Sequence, residues 1–161
     1  MLRAQVITVS DRCAAGQRDD LSGPVAVAAL AEQGYVVDAR VIPDGADGVE
    51  QALREALQAG AQLIITSGGT GVGPRDRTPE GTLPIVDHQL PGIMEMLRSA
   101  PGKPAAYLTR GIAGVVDPGE KSLVGALIVN LPGNPKAVSE GIQQICLVAA
   151  HILEQLQGGD H

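Results

Sequence analysis

Aromatic residues and positive charge are scarce in this sequence. The 161 residues include no Trp and no Phe, only two Tyr, and a formal net charge of −6. Proteins that bind nucleic acids usually stack bases on aromatic side chains and follow phosphates with clustered Lys and Arg. We therefore expect no nucleic-acid partner. Any phosphate must be held locally, by backbone amides, a few cations or a metal ion.

Cysteines and long apolar runs are scarce too. Two cysteines, Cys13 and Cys146, are too few for a disulfide framework or a zinc site, and the three histidines have no ligand spacing. No segment approaches the roughly 18 apolar residues that span a membrane, and the first residues lead into a strand without a signal-peptide pattern. We expect a cytoplasmic protein with no membrane partner.

The overall composition and the pattern along the chain favour one globular domain. Hydrophobic residues make up 44% and charged residues 19%, and short apolar runs alternate with helical patterns along the chain. This alternation predicts an α/β fold of three layers, a mostly parallel sheet with helices on both faces. Strands are predicted at 5–9, 35–42, 61–66 and 126–129, each apolar on both faces. Helices are predicted at about 22–33, 47–59, 78 onward, 91–99 and 135–156, with 101–122 irregular.

Each predicted strand ends in a polar or glycine-rich segment. In parallel sheets, ligands bind beyond the carboxyl ends of the strands. We therefore expect the four segments to converge on one rim of the sheet. They are Ser10-Asp11, Pro43-Asp44-Gly45, the run from Ser67 to Gly71, and Asn130 to Asn134.

The loop after the third strand predicts a phosphate cradle. Its glycines let backbone N–H groups approach an oxyanion, and the helix start at Thr78-Pro79 favours negative charge. The loop is not a Walker loop, because no lysine precedes Lys103, and the dinucleotide glycine pattern is absent. A plain turn is the alternative.

These residues together resemble the molybdopterin adenylyltransferases of the Mog/MoaB family, whose domains also occur in gephyrin and plant Cnx proteins. The matching pieces span residues 5 to 156 in the family's order, so residues 1–161 resemble a single molybdopterin-binding domain. The glycine-rich run to Gly71 followed by Arg75-Asp76-x-Thr78-Pro79-Glu80 is highly specific, whereas Leu131 to Pro135 alone would be weak. The matching pieces also include Thr8-Val9-Ser10-Asp11, Ile42-Pro43-Asp44, Thr66 to Gly71, Thr109-Arg110 and Asn130 to Pro135.

The resemblance implies a reaction and two essential carboxylates. The terminal phosphate of molybdopterin attacks the α-phosphorus of ATP, pyrophosphate leaves, and Mg²⁺ assists. The family's two important aspartates correspond to Asp44 and Asp76, as catalytic residues and Mg²⁺ ligands. Taken singly, Asp44 could be a turn residue before Gly45, and Asp76 could be an ion-pair partner of a neighbouring arginine.

The resemblance also implies a set of substrate contacts. Leu131-Pro132-Gly133 would lie along a flat ring, whereas Ser10 and Asp11 could instead only organise the loop to residue 20. The basic residue that the family commonly has before the last strand is missing, so Arg110 or Lys121 would take its place. The full set is Ser10, Asp11, Thr66, Ser67, Gly68, Gly69, Thr70, Gly71, Thr78, Arg110, Asn130, Leu131, Pro132, Gly133 and Asn134.

The family resemblance extends to partners. It implies a homotrimer, sometimes a hexamer, and transfer of the product to a molybdate-insertion protein. A non-catalytic pterin-binding protein of the same fold is the alternative to an enzyme, and retention of both Asp44 and Asp76 favours the enzyme.

Overall fold

The structure, a computed structural model, describes residues 1–99 and 103–159. His161 and the first two residues of the segment predicted as irregular lie outside these ranges. The strands are β1 (Arg3–Val9), β2 (Val36–Ile42), β3 (Leu63–Ser67), β4 (His88–Gln89), β5 (Ala113–Val116) and β6 (Ala126–Leu131). The helices are α1 (Asp11–Ala14), α2 (Ser22–Glu32), α3 (Ala46–Gln58), α4 (Thr78–Thr82), α5 (Pro91–Arg98), a 3₁₀ helix (Pro104–Leu108) and α6 (Pro135–Leu156).

The six strands form one mostly parallel sheet in the order β2-β1-β3-β6-β5-β4. β1, β2, β3 and β6 run parallel, whereas β5 is antiparallel to both β6 and β4. The α/β fold and the four predicted strands are confirmed. The irregular structure predicted for 101–122 is wrong at β5. This strand has only four residues, and it contains Gly114, where a Cβ would lie 2.8 Å from the carbonyl oxygen of His88.

Helices cover both faces of the sheet, as predicted. Because side chains alternate along a strand, Ile64 and Ile65 of β3 point into two different cores. The core that contains Ile65 packs against α2, α5 and α6, and the core that contains Ile64 packs against α3. α3 contributes Val49, Leu53 and Leu57, at the spacing of four that places side chains on one helical face.

The edge strand β2 contradicts the prediction that every strand is apolar on both faces. Most of its residues are exposed, and only Ile42 is buried. It pairs on one side only, with β1, and its charged residues form surface ion pairs, Asp38 with Arg3 and Arg40 with Glu55. Charged side chains on an edge strand discourage pairing with another sheet.

The final helix begins and packs as its sequence predicts. Asn134 is its N-cap, and the Asn134 side chain accepts a hydrogen bond of 2.8 Å from the backbone N–H of Ala137. Val138, Ile142 and Ile145 are buried along one face of α6, and Cys146 is half-buried beside them. Among the helices within 1–99 and 103–159, none is long and apolar enough to cross a membrane.

Candidate functional site

The four predicted segments do meet at one rim of the sheet. Backbone hydrogen bonds link the strand ends directly: the N–H of Ser10 donates to the carbonyl of Ile42 at 2.9 Å, and the N–H of Gly68 donates to the carbonyl of Leu131 at 3.0 Å. Gly133 lies so close to Gly68 that a Cβ on Gly133 would be 3.2 Å from the Gly68 Cα. The parallel register of β1, β2, β3 and β6 therefore assembles a single site.

The glycine-rich loop depends on two glycines in left-handed conformations. Gly68 has φ of 102° and Gly69 has φ of 68°. A Cβ at Gly68 would lie 2.3 Å from the carbonyl oxygen of Val9, and one at Gly69 would lie 2.2 Å from the hydroxyl oxygen of Thr78. Both positions therefore require glycine for conformation and for space.

The backbone amides of this loop are left without internal partners. The N–H groups of Gly69, Thr70 and Gly71 donate no hydrogen bond to any described residue, whereas the N–H of Gly68 is bonded to Leu131. Consecutive unpaired amides form a concavity that suits an anion. The phosphate cradle stays a prediction; the amides of 69–71 are available for it, whereas the Gly68 amide is already bonded to Leu131.

A buried polar network supports the loop from behind. The Asn130 side-chain amide donates to the hydroxyls of Thr66 (2.9 Å) and Thr82 (3.1 Å), and its oxygen accepts from the N–H of Ile112. The Thr78 hydroxyl donates to the carbonyl of Gly68 at 2.9 Å. Thr66, Thr78 and Asn130 are completely buried. These three side chains therefore support the loop from its buried side, and their contact with a substrate stays a prediction.

Asp44 is held by Asp11 in a reciprocal arrangement. The backbone N–H of Asp11 donates to Asp44 Oδ2 at 2.9 Å, and the backbone N–H of Asp44 donates to Asp11 Oδ1 at 3.0 Å. Asp44 Oδ1 accepts no hydrogen bond from the described residues and lies beside Gly69, 3.2 Å from where a Cβ would stand. One carboxylate oxygen of Asp44 is thus presented to the cradle.

Arg75 links this aspartate pair to the loop. Its guanidinium donates to both carboxylate oxygens of Asp11, at 3.1 and 3.2 Å, and to the carbonyl of Asp44 at 2.8 Å. Asp11 therefore organises Asp44 through its carboxylate and its backbone, and its oxygens are occupied. Asp11 thus has a structural role, but toward Asp44 and Arg75, and these contacts do not involve the loop to residue 20. Nothing in the sequence pattern had singled out Arg75 as its partner.

The two aspartates differ in their protonation behaviour. Hydrogen bonding from Arg75 is the main reason that the pKa of Asp11 lies below its usual value. Partial burial raises the pKa of Asp44, and the negative charges of Asp11 and Asp76 raise it further, against the backbone N–H of Asp11 and the charge of Arg75. A nearby cation would therefore stabilise the charged form of Asp44.

Asp76 lies inside the tight turn that follows the cradle. Its Oδ2 accepts a hydrogen bond of 2.9 Å from the N–H of Gly73, and Cβ atoms on Gly71 and Gly73 would lie 2.9 and 2.8 Å from that oxygen. Arg77 donates to the carbonyl of Asp76 and not to its carboxylate. Within the described structure Asp76 forms no salt bridge, so the ion-pair alternative does not hold.

Arg110 and Lys121, the two candidates for a missing basic residue, are both engaged elsewhere. The Arg110 guanidinium donates to the carbonyls of Gly71 and Asp76 and to both carboxylate oxygens of Glu80. Lys121 donates to the carbonyl of Ile85 and to Asp87, and it lies in the connection between β5 and β6. That connection leads into the start of β6, at the opposite end from the site. Lys121 therefore lies away from the rim, so the anion contact predicted for it is wrong. The anion contact of Arg110 stays a prediction, and its guanidinium is bonded to protein groups in this structure.

The remaining predicted residues surround the cradle. The Ser10 side chain caps α1 by accepting from the N–H of Cys13 at 3.2 Å, and the Ser67 hydroxyl donates to the carbonyl of Pro132 at 3.4 Å. Ser67, Thr70 and Leu131 are buried, Pro132 is half-buried, and Gly133 and Asn134 are exposed. Asn134 uses its side-chain oxygen to cap α6.

Two hollows flank the rim. A small polar cleft of about 110 Å³ lies between the ends of β1 and β3 and includes Ser10, Arg18, Asp20, Ser67 and Gly133. A larger, mainly apolar groove of about 620 Å³ lies between α5, the 3₁₀ helix and the start of α6. Its lining includes Met94, Leu97, Leu131, Pro132, Lys103 and Lys136. No sequence pattern pointed to Arg18 or to the groove, because both depend on how distant segments pack.

The carboxylates fit a Mg²⁺ ion that binds together with phosphates. Mg²⁺ prefers oxygen ligands, keeps several waters, and is usually bound by one or two carboxylates plus substrate phosphates. Asp44 and Asp76 supply two such carboxylates beside the cradle. Among residues 1–99 and 103–159, no group of three or more His, Cys, Asp or Glu could hold a metal ion.

Known proteins share this fold and sequence. Residues 5–151 match the family model described as "Probable molybdopterin binding domain". The chain is 38% identical to the molybdopterin adenylyltransferase of Pyrococcus furiosus, over 92% of this chain and 88% of that protein. It is also 38% identical to the molybdenum cofactor biosynthesis bifunctional protein of Synechococcus elongatus, covering 98% of this chain but only 48% of that protein.

Solved structures agree with the sequence comparison. The molybdopterin biosynthesis Mog protein of Mycobacterium ulcerans superimposes with a TM-score of 0.86 at 38% identity, covering 97% of this chain and 99% of that chain. The glycine-rich cradle, the paired aspartates and the sheet topology thus occur in a chain that belongs to the molybdopterin-binding domain family of the Mog and MoaB proteins.

Proposed function

We propose that this protein adenylylates molybdopterin. An oxygen of the molybdopterin terminal phosphate would form a bond to the α-phosphorus of ATP, and the bond from that phosphorus to the bridging oxygen of pyrophosphate would break. The products are adenylyl-molybdopterin and pyrophosphate. The observation that carries the proposal is that Asp44 Oδ1, which accepts no hydrogen bond from the described residues, lies beside Gly69, the first of three consecutive residues with unpaired amides.

The residues of the rim would act mainly by positioning and charge neutralisation, which is what phosphoryl-type transfer needs. The amides of 69–71 would hold phosphate oxygens of the nucleotide. Asp44 and Asp76 would hold Mg²⁺, which when bound neutralises part of the triphosphate charge. Asp11 keeps Asp44 oriented, and the buried Asn130 network keeps the loop in place.

The apolar groove supports a place for the flat pterin ring. Leu131 and Pro132 form part of its wall and also adjoin the cradle through the Gly68 and Ser67 hydrogen bonds. A ring lying in this groove would therefore reach the cradle with its phosphate arm. Lys136 lines the same groove and forms no salt bridge with a described carboxylate.

We further propose a homotrimer and transfer of the product to a molybdate-insertion protein. The bifunctional protein of Synechococcus elongatus, which is about twice as long as the region it shares with this chain, is compatible with such coupling. Sedimentation of the purified chain measures the oligomeric state directly.

Pyrophosphate release tests the proposal. Purified protein incubated with molybdopterin and Mg-ATP should release pyrophosphate and form adenylyl-molybdopterin in equal amounts, and neither should form without molybdopterin. Binding of molybdopterin without pyrophosphate release would instead indicate a non-catalytic pterin-binding protein. Asp38→Asn, on the exposed edge strand, is the matched control for losses caused by changing Asp44 or Asp76.

A further inference from the structure

We infer that Arg110 is a positioning residue that fixes the turn from Gly71 to Asp76, and through it the Asp76 carboxylate. The inference rests on the proposed function only in giving Asp76 a role in catalysis. Whether Arg110 keeps the turn in place is independent of that role, and it can be measured without substrate.

Arg110 forms hydrogen bonds to both ends of the turn. Nε donates to the carbonyl of Gly71 at 2.7 Å, and one terminal nitrogen donates to the carbonyl of Asp76 at 2.9 Å. The backbone N–H of Arg110 also donates to the carbonyl of Thr70 at 2.7 Å. One residue therefore joins the start of the turn to its end.

Glu80 fixes the direction of the guanidinium. Its two carboxylate oxygens accept from Arg110 at 2.8 and 3.2 Å, and the hydrogen bond from Arg110 is the main reason that the pKa of Glu80 lies below its usual value. Glu80 belongs to α4, whose first residue, Thr78, is hydrogen-bonded to the loop. The Arg110 guanidinium is thus held by a residue of α4, the helix that follows the turn.

The turn has few other anchors. Val72 is 80% exposed, and Pro74 and Arg75 are also exposed, so burial of apolar side chains does not hold this segment. Its internal hydrogen bonds join Gly73 and Asp76 to each other. The position of the Asp76 carboxylate relative to Asp44 therefore depends on polar contacts with residues outside the turn. Arg75 supplies some of them by donating to Asp11 and to the Asp44 carbonyl, and the Arg110 side chain supplies two more.

The ion pair itself contributes little to global stability. The Arg110 and Glu80 side chains are 35% and 44% exposed, and exposed ion pairs typically contribute little to the free energy of unfolding. Misplacing a catalytic group by about 1 Å, by contrast, can reduce a rate by about 100-fold. Loss of Arg110 should therefore reduce activity far more than stability.

Only arginine fits this role, because the contacts need a planar group with several donors. A lysine has one nitrogen and cannot meet two carbonyls and a carboxylate in this fork geometry. Arg110→Lys should therefore behave like Arg110→Met, although it keeps the charge. Glu80→Gln keeps an oxygen acceptor and both carbonyl contacts of Arg110, so it should have a smaller effect.

The experiment compares these three variants with Arg54→Met in the full chain. Arg54 is a matched control because it pairs with Glu50 on α3 at similar exposure, 42% and 35%, away from the rim. Deuterium uptake of 71–77 is measured without substrate, and kcat, KM for ATP and the Mg²⁺ dependence are measured with it. For Arg110→Met and Arg110→Lys we expect faster exchange confined to this segment, kcat lowered by at least about tenfold, and a melting temperature like that of Arg54→Met.

The outcomes separate this inference from the proposed function. Unchanged exchange at 71–77 in Arg110→Met overturns the positioning role. Normal kcat in Arg110→Lys also overturns it, because charge alone would then suffice. If the parent protein releases no pyrophosphate, the proposed function fails, while the exchange data still decide whether Arg110 holds the turn.

Discussion

At the scale of single residues, the site separates groups that face the ligand from groups that hold them. Asp44 Oδ1 and the amides of 69–71 have no hydrogen-bond partner among the described residues, whereas Asp11 and Arg75 are bonded to each other and to Asp44. The resemblance indicated which residue types gather at the rim. It could not separate the two groups, because the separation depends on which atom each side chain turns toward its neighbours.

Asp76→Asn should lower turnover by about 10²–10³-fold while the protein stays folded. Asn keeps the size and one oxygen, so the hydrogen bond from Gly73 can survive, but the negative charge is lost. Steady-state pyrophosphate release at saturating Mg-ATP measures the effect, with Asp38→Asn as control. Turnover within about threefold of the parent would remove Asp76 from the catalytic groups.

In Arg75→Met, the loss of Mg-ATP affinity on acidification should begin at a higher pH than in the parent protein. Burial already raises the pKa of Asp44, and Arg75 holds the pKa values of both Asp44 and Asp11 down, so its removal raises both. As the pH falls, the carboxylates are then neutralised earlier and the nucleotide affinity is lost earlier. Calorimetric titration across the acidic range tests this, with Arg40→Met as the charge control. If affinity is lost at the same or a lower pH than in the parent, Arg75 does not keep Asp44 and Asp11 charged.

At the scale of elements, the glycine-rich loop and its supports behave as one unit. β3 leads into the loop, α4 closes it through Thr78, and β6 supports it through Asn130. The helices α2, α3, α5 and α6 and the four parallel strands were predictable from their apolar runs and from the Gly and Pro residues near their ends. α1 and β4 were not predicted, because elements of four and two residues carry too few positions to show a period.

Gly69→Ala should abolish nucleotide binding, and Gly34→Ala should not. Both glycines have positive φ, 68° and 89°, so each substitution costs roughly 1–2 kcal/mol of backbone strain. Only at Gly69 does the new Cβ meet an obstacle, the Thr78 hydroxyl at 2.2 Å, whereas nothing lies within 4 Å at Gly34. Because Thr78 is buried, Gly69→Ala should also lower stability more than Gly34→Ala does.

Thermal melting with and without Mg-ATP separates the two effects. The parent and Gly34→Ala should both be stabilised by Mg-ATP, because a ligand that binds only the folded state raises its stability. Gly69→Ala should melt at a lower temperature and show no such shift. A full Mg-ATP shift in Gly69→Ala would mean that the phosphates lie away from this loop.

At the scale of the whole molecule, the site must attract an anion within an acidic protein. The formal net charge is −6, and two arginines close to the aspartates, Arg75 and Arg110, are already paired with Asp11 and Glu80. Free ATP therefore meets a repulsive field that extends about 8 Å at physiological ionic strength. The composition already shows that positive charge is scarce in the chain. These pairings show that unpaired positive charge is scarce at the site as well.

ATP binding should therefore require a divalent cation and respond only weakly to salt. Mg²⁺ cancels about half of the triphosphate charge and gives Asp44 and Asp76 a shared partner, so affinity should fall sharply in EDTA. Few cations are available to displace counterions, so the steep salt dependence of nucleic-acid binding should be absent. Calorimetry with Mg²⁺ and with EDTA, each at two salt concentrations, tests both points. Tight binding in EDTA would mean that cations without a salt bridge in the described structure, such as Arg18 beside the polar cleft or Arg77 beside Asp76, neutralise the phosphates. The two aspartates would then lose their proposed role.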